Sequence, residues 1–221
     1  MCFSAGASFG ASAVLSVIGV SVIKQVKAPK QLLFAAIPIV FAVQQCSEGL
    51  VWLSLSHPEF AFLEKISSYM FLIFAQMVWP LCVPTSIYLL EKNGVYKKIL
   101  LIFVAIGVMV AAYFAFRLFN YGVNPNILGR HVSYKQIYPD HWNHIADMCY
   151  GIATILPIFI SRVKKIWIFG LAISVSYLVA ALVYVNYILS VWCFFASIIS
   201  VIIYFIVKEL VVQKEYMSRT D

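Results

Sequence analysis

A single glutamate inside an apolar run and four histidines are the residues of this chain whose types could do chemistry. Glu48 lies in the stretch Gln31–Leu55, which is long enough to span a bilayer and otherwise almost free of charge. An acidic group at that depth costs roughly 2.5–3.5 kcal/mol on insertion scales. A chain carries one where a partner neutralises it or where function uses it. Gln44, Gln45, Glu48 and Trp52 recur at spacings of three or four, so on a helix they share a broad face. Two chemistries fit these groups. His141-x-x-His144, with His131 and Glu48, forms a donor set for zinc or another divalent metal, whose bound water becomes a nucleophile near neutral pH. Alternatively, Glu48, Gln45, Gln76, Trp52, Tyr134 and Arg117 line a polar ligand-binding pocket, with Arg117 as a counter-charge.

The elements that must position these groups follow from composition. The chain has 221 residues, 63% hydrophobic and 11% charged. A soluble domain is nearer half apolar and a quarter charged. A globule of this size cannot hide so much apolar surface, so the bilayer is the expected solvent. Seven spans of about 20 residues are expected for a core about 30 Å thick: Phe9–Val26, Gln31–Leu55, Ser67–Leu90, Lys98–Phe119, Asn143–Ser161, Ile166–Tyr187 and Leu189–Val212. The expectation is an all-α, integral membrane seven-helix bundle, with residues 1–221 as one transmembrane domain. Two loops are long: Ser56–Ile66, and the segment 120–142, where Gly122, Pro125, Gly129 and Pro139 argue against a continuous helix. The first apolar segment lacks a basic leader and a clear cleavage site, which predicts a retained helix. Gly6 with Gly10, and Gly170 with Ser174, have the spacing that lets helices approach closely in lipid. Pro80 withholds the donor that would bond the carbonyl of Gln76, which predicts a bend in the third span.

Charge sets the orientation. Twelve of the 16 Lys and Arg residues fall on alternate loops and the C-terminal tail, and Lys65, Arg117, Arg130 and Lys135 fall on the opposite side. The positive-inside bias then places the N-terminus outside and the C-terminus in the cytoplasm. This topology puts all four histidines, Glu48, the long loop and Cys2, Cys46, Cys149 and Cys193 in the outer half. A disulfide between Cys2 and Cys193 is compatible with that side; small apolar filling is the alternative for cysteines inside spans. The net charge of +7 sits in short loops rather than in a stripe, which argues against nucleic acid as a partner.

Some seven-helix activities lack their residues. A retinal protein needs a lysine deep in its last span, but Lys208 stands at the inner end of this one. A hydrolase similar to alkaline ceramidase would carry a late His-x-x-x-His pair, and the chain has none. There is no glycine-rich phosphate loop.

Three segments carry a resemblance: Met1-Cys2-Phe3-Ser4-Ala5-Gly6-Ala7-Ser8-Phe9, Gln45-Cys46-Ser47-Glu48-Gly49-Leu50-Val51-Trp52 and Ser190-Val191-Trp192-Cys193-Phe194-Phe195-Ala196. Together they resemble a family of small multi-pass bacterial membrane proteins of unknown function that begin Met-Cys-Phe-Ser-Ala. The resemblance implies a bacterial cytoplasmic (inner) membrane protein, marks Cys2, Glu48 and Cys193, and supplies no activity. The expected function is binding of a small molecule or lipid in an outward-facing polar pocket around Glu48, as sensor, carrier or accessory subunit. The alternatives are a metal-dependent hydrolase or lipid-modifying enzyme at the outer leaflet, and a structural membrane subunit without a ligand.

Overall fold

Local signals divide the apolar runs into helices. The Ser4 hydroxyl accepts from the Ala7 N–H at 3.2 Å and caps α1 (Ala5–Gln25). Pro29 opens α2 (Pro29–Ala35), and Pro38, which has no N–H to donate, stands in the first turn of α3 (Ile37–Ser56). The expected second span is therefore two consecutive helices that together form one apolar run, Pro29–Ser56. The expected loop Ser56–Ile66 is instead mostly helical. His57 alone is extended, and Pro58 starts a 3-10 turn, Pro58–Leu63, that runs into α4 (Glu64–Leu72). A π-helical turn, Ile73–Val78, then joins α4 to α5 (Trp79–Leu90), whose first turn holds Pro80. The third span, expected to bend at Pro80, is thus irregular in hydrogen bonding over the six residues Ile73–Val78.

Asn93 caps α6 (Gly94–Tyr121) through the Val95 N–H at 3.0 Å. The segment expected as a loop then holds an antiparallel hairpin, β1 (Asn124–Leu128) and β2 (His131–Lys135), in register from Asn124↔Lys135 to Leu128↔His131. The remaining helices are α7 (Asn143–Ile160), α8 (Ile166–Val183), α9 (Ile188–Ile199) and α10 (Ile202–Thr220). The computed structural model describes residues 4–129, 131–136, 143–163, 165–183 and 188–220, the side chains of 143, 189 and 212–220 excepted.

Among the described residues, six helical runs are long and apolar enough to cross a membrane: Ala5–Gln25, Pro29–Ser56, Pro58–Leu90, Gly94–Tyr121, Ile166–Val183 and Ser190–Val211. The expected fifth span is a shorter apolar helix over His144–Ile160. Large apolar side chains such as Val17, Leu101, Leu182 and Phe205 point outward over much of the surface. Water would not tolerate so continuous an apolar exterior. The chain is a helical membrane protein.

The helices close on small residues, though not all of the expected ones. A Cβ at Gly107 of α6 would overlap the carbonyl oxygen of Pro80, so the absence of a side chain brings α5 and α6 together. A Cβ at Gly170 would stand 2.8 Å from Ile158, in keeping with the small-residue spacing noted in α8. Gly10 does not follow the expectation: its Cβ position meets nothing among the described residues within 4 Å, and α1 meets α3 instead through Ser12, whose hydroxyl donates to the Ala42 carbonyl at 2.8 Å.

Glu91, which the sequence reading passed over, ties two loops at one end of the bundle. Its Oε1 accepts from the N–H groups of Lys92 and Asn93, both at 3.0 Å. Its Oε2 accepts from the Ser161 hydroxyl at 3.0 Å and the Arg162 N–H at 2.9 Å. Burial works to raise the carboxyl, but these donors, Arg162 and Asn93 foremost, outweigh it and hold it below the ordinary range.

Candidate functional site

The helical spacing of three and four residues puts Gln44, Gln45, Glu48 and Trp52 inside the bundle, and all four are buried. Gln45 Nε2 donates to Glu48 Oε2 at 3.4 Å. The Ser190 hydroxyl, from the start of α9, donates to Glu48 Oε1. Gln44 Oε1 accepts from the Trp79 indole at 2.7 Å, and that indole stacks on Phe41 with centroids 3.9 Å apart. Phe9 completes the layer from α1, lying so close to Gly49 that a Cβ there would stand 2.7 Å from its ring. All three segments that carried the family resemblance thus meet at Glu48 and its neighbours. Ser190 is the partner that sequence reasoning missed as such. The available signal was its position at the head of a marked segment in an apolar span.

The hairpin covers this layer. Val132 packs against Val51 and Trp52, and the Tyr134 ring stacks on Phe71 with centroids 4.7 Å apart. Of the expected pocket residues, Glu48, Gln45, Trp52 and Tyr134 therefore lie in this covered region. His131 is half-buried at the hairpin turn, and burial lowers its basicity. Cys193, one turn along α9 from Ser190, is a buried free thiol. Cys2, its expected disulfide partner, lies outside the described residues.

Gln76 and Arg117 are placed elsewhere. Gln76 sits in the π turn and exchanges two amide hydrogen bonds with Gln136, at 3.3 and 3.1 Å. The Tyr150 hydroxyl donates to the neighbouring Ala75 carbonyl at 2.7 Å, so a side chain supplies a donor to the irregular backbone. Beside the turn lies a cavity of about 140 Å³ whose lining includes Gln76, Asp147, Tyr150, Tyr177 and Trp192. The Trp192 indole N–H is buried and has no hydrogen-bond partner among the described residues. Tyr177 meets Trp192 edge to face at 5.1 Å, and Tyr150 does so at 5.8 Å. A narrow, mostly apolar cavity of about 40 Å³ shares Tyr150 and Trp192 and runs on toward Phe41 and Cys193. Arg117 is buried with its guanidinium 5.2 Å from the Tyr113 ring and 5.5 Å from that of Phe114.

Glu48 lines neither of these cavities. The expected pocket therefore resolves into two parts: a hydrogen-bonded layer under the hairpin, and an adjoining space beside the π turn. Ser190 and Trp192, two residues apart on α9, connect them. For the metal expectation, His131 and His144 join no group of three or more His, Cys, Asp or Glu able to hold a metal ion among the described residues, and His141 lies outside them.

Residues 1–217 match a family of unknown function (DUF6629), and the chain belongs to that family. No curated protein and no solved structure matches it.

Proposed function

We propose that this family member is a binding protein of the bacterial inner membrane. Its single seven-helix domain would have the N-terminus outside, the C-terminus in the cytoplasm and a pocket open to the outer face, taking a small molecule or lipid as sensor, carrier or accessory subunit. The observation that carries this reading is the 140 Å³ cavity at the π turn, with Gln76 and Asp147 in its wall and the Trp192 N–H without a partner among the described residues. A buried donor left unpaired costs about 1–3 kcal/mol, which a ligand acceptor would offset. At about 30 Å³ per water, the space suits roughly five non-hydrogen atoms: a small polar molecule, or the polar end of an amphiphile. The π turn supports the same reading, since such turns recur at functional sites. Glu48 would then act as a positioning residue, holding Ser190 and with it the cavity wall.

Native mass spectrometry of the protein extracted from membranes in mild detergent tests this. The expected result is a retained small-molecule or lipid adduct that is depleted when Gln76→Leu and Asp147→Asn are combined, and that Gln136→Leu, which breaks the same amide pair without lining the cavity, leaves in place. Identical adduct spectra for the parent and the double variant would remove the pocket from consideration.

A further inference from the structure

A second polar space lies at the open end of the hairpin, apart from the cavity at the π turn. It has a volume of about 290 Å³, and its wall includes Glu64, Lys65, Ser68, Tyr69, Asn124 and Lys135. Three elements build it. Glu64 and Lys65 open α4, Lys135 stands across from Asn124 in the hairpin register, and Gly122, at φ +71°, turns the chain from α6 into β1. A side chain would strain that left-handed turn, and its Cβ would stand 3.6 Å from the Tyr69 hydroxyl.

Two features of this cleft call for a ligand. Ser68 is fully buried, yet its hydroxyl has no hydrogen-bond partner among the described residues. Helical serines ordinarily return their proton to a carbonyl one turn back; neighbouring Ser67 does so, to Leu63 at 2.8 Å. Glu64, Lys65 and Lys135 form no ion pair among the described residues, although they share one wall. The charges are also complementary to one kind of molecule. Two ammonium groups match a phosphomonoester dianion, a single carboxylate matches one ammonium, and Ser68 is left to donate to a phosphate oxygen. At about 30 Å³ per water, the volume suits roughly ten non-hydrogen atoms.

We propose that this cleft binds a small zwitterion of the aminoalkyl phosphate class, its phosphate held by Lys65, Lys135 and Ser68 and its ammonium by Glu64. The ammonium–phosphate pair occurs free, as the monoester phosphoethanolamine, and, with one phosphate charge instead of two, as the diester headgroup of an ethanolamine phospholipid.

Isothermal titration of the full chain in detergent, with phosphoethanolamine, ethanolamine and inorganic phosphate, tests the proposal. Native mass spectrometry in nanodiscs of phosphatidylethanolamine or phosphatidylglycerol distinguishes the sources. The expected result is that phosphoethanolamine binds at least about tenfold more tightly than either half, or that phosphatidylethanolamine is retained over phosphatidylglycerol by a similar factor. The first outcome assigns a free zwitterion and the second a lipid headgroup. In either case, Lys65→Gln with Lys135→Gln should weaken binding by about tenfold or more. Glu64→Gln should abolish the preference over inorganic phosphate or phosphatidylglycerol. All three side chains lie at the surface end of their elements, so these variants should keep the parent melting temperature, which is measured alongside. Binding of inorganic phosphate as tight as that of phosphoethanolamine would overturn the proposal. So would absence of binding in both formats, or affinity unchanged in the double variant.

Discussion

The Ser190 hydroxyl donates to the Glu48 carboxylate across 142 residues of sequence. This bond joins the second and the last long apolar runs through two groups that are both buried from solvent. With Phe9 seated on Gly49, it makes one packed unit of three segments spread along nearly the whole chain. Glu48 is held by hydrogen bonds from two sides, Gln45 and Ser190. This arrangement explains how an acid can be carried there without leaving the fold unstable.

Removing the donor while leaving the acid should be costly. Ser190→Ala is expected to lower stability by about 1–3 kcal/mol. Glu48→Gln, which keeps the shape, should cost less in the Ser190→Ala background than in the parent, because the two changes remove one interaction. Thermal unfolding of the four proteins in detergent measures the coupling; strictly additive losses would contradict the pairing.

The contact between Gly107 and the Pro80 carbonyl leaves no room for a methyl group. Gly107→Ala should destabilise the protein by about 1–3 kcal/mol, despite the better helix propensity of alanine. Gly10→Ala, where the Cβ meets nothing among the described residues, should be neutral or slightly stabilising. Melting temperatures of the two variants, side by side, check the contrast.

Glu91 gives a pH signature. Its carboxyl is held below the ordinary value of 4.5, so its contribution is fully present above that pH and is lost as the pH falls through the depressed value. Glu91→Gln should cost about 1–3 kcal/mol at neutral pH. It should also flatten the fall in stability that the parent shows on acidification below about 4.5. Unfolding midpoints between pH 3 and pH 7, a range of roughly four units around the reference value, test both halves.

Trp192→Phe removes the indole N–H that has no partner among the described residues. The lost ring area and the relieved donor oppose each other, so net stability should change by less than about 1 kcal/mol. Occupancy of the adjoining cavity should fall. A large drop in melting temperature with full adduct retention would show that the N–H serves the fold rather than a ligand.

The long apolar runs were legible in the sequence because hydrophobic length is a strong signal. Their ends were not: Pro58 was read within a loop, but it opens a helix that continues to Leu90, and only His57 breaks the chain. The hairpin escaped for a different reason. Its strands are short, and Val132 and Tyr134 gain their burial from contact with Trp52 and Phe71, which no local pattern reveals. The layer around Glu48 was half visible. Gln44, Gln45 and Trp52 follow from helical spacing, whereas Ser190 belongs to a distant helix and could be found only once the three segments had been brought together. Gln76 stands out in the sequence as a polar residue beside Pro80, but its partner Gln136 follows the hairpin and has no sequence mark.

The π turn at Ile73–Val78 also constrains how this chain can vary in length. Such a turn amounts to one residue inserted into a regular helix. Deleting a single residue there would regularise the span and rotate everything beyond it by about 100° relative to α4. Gly107 would then no longer face Pro80, and the cavity beside Gln76 would lose a wall. In a protein otherwise built from tolerant apolar helices, six consecutive positions are thus fixed in number more strictly than in kind.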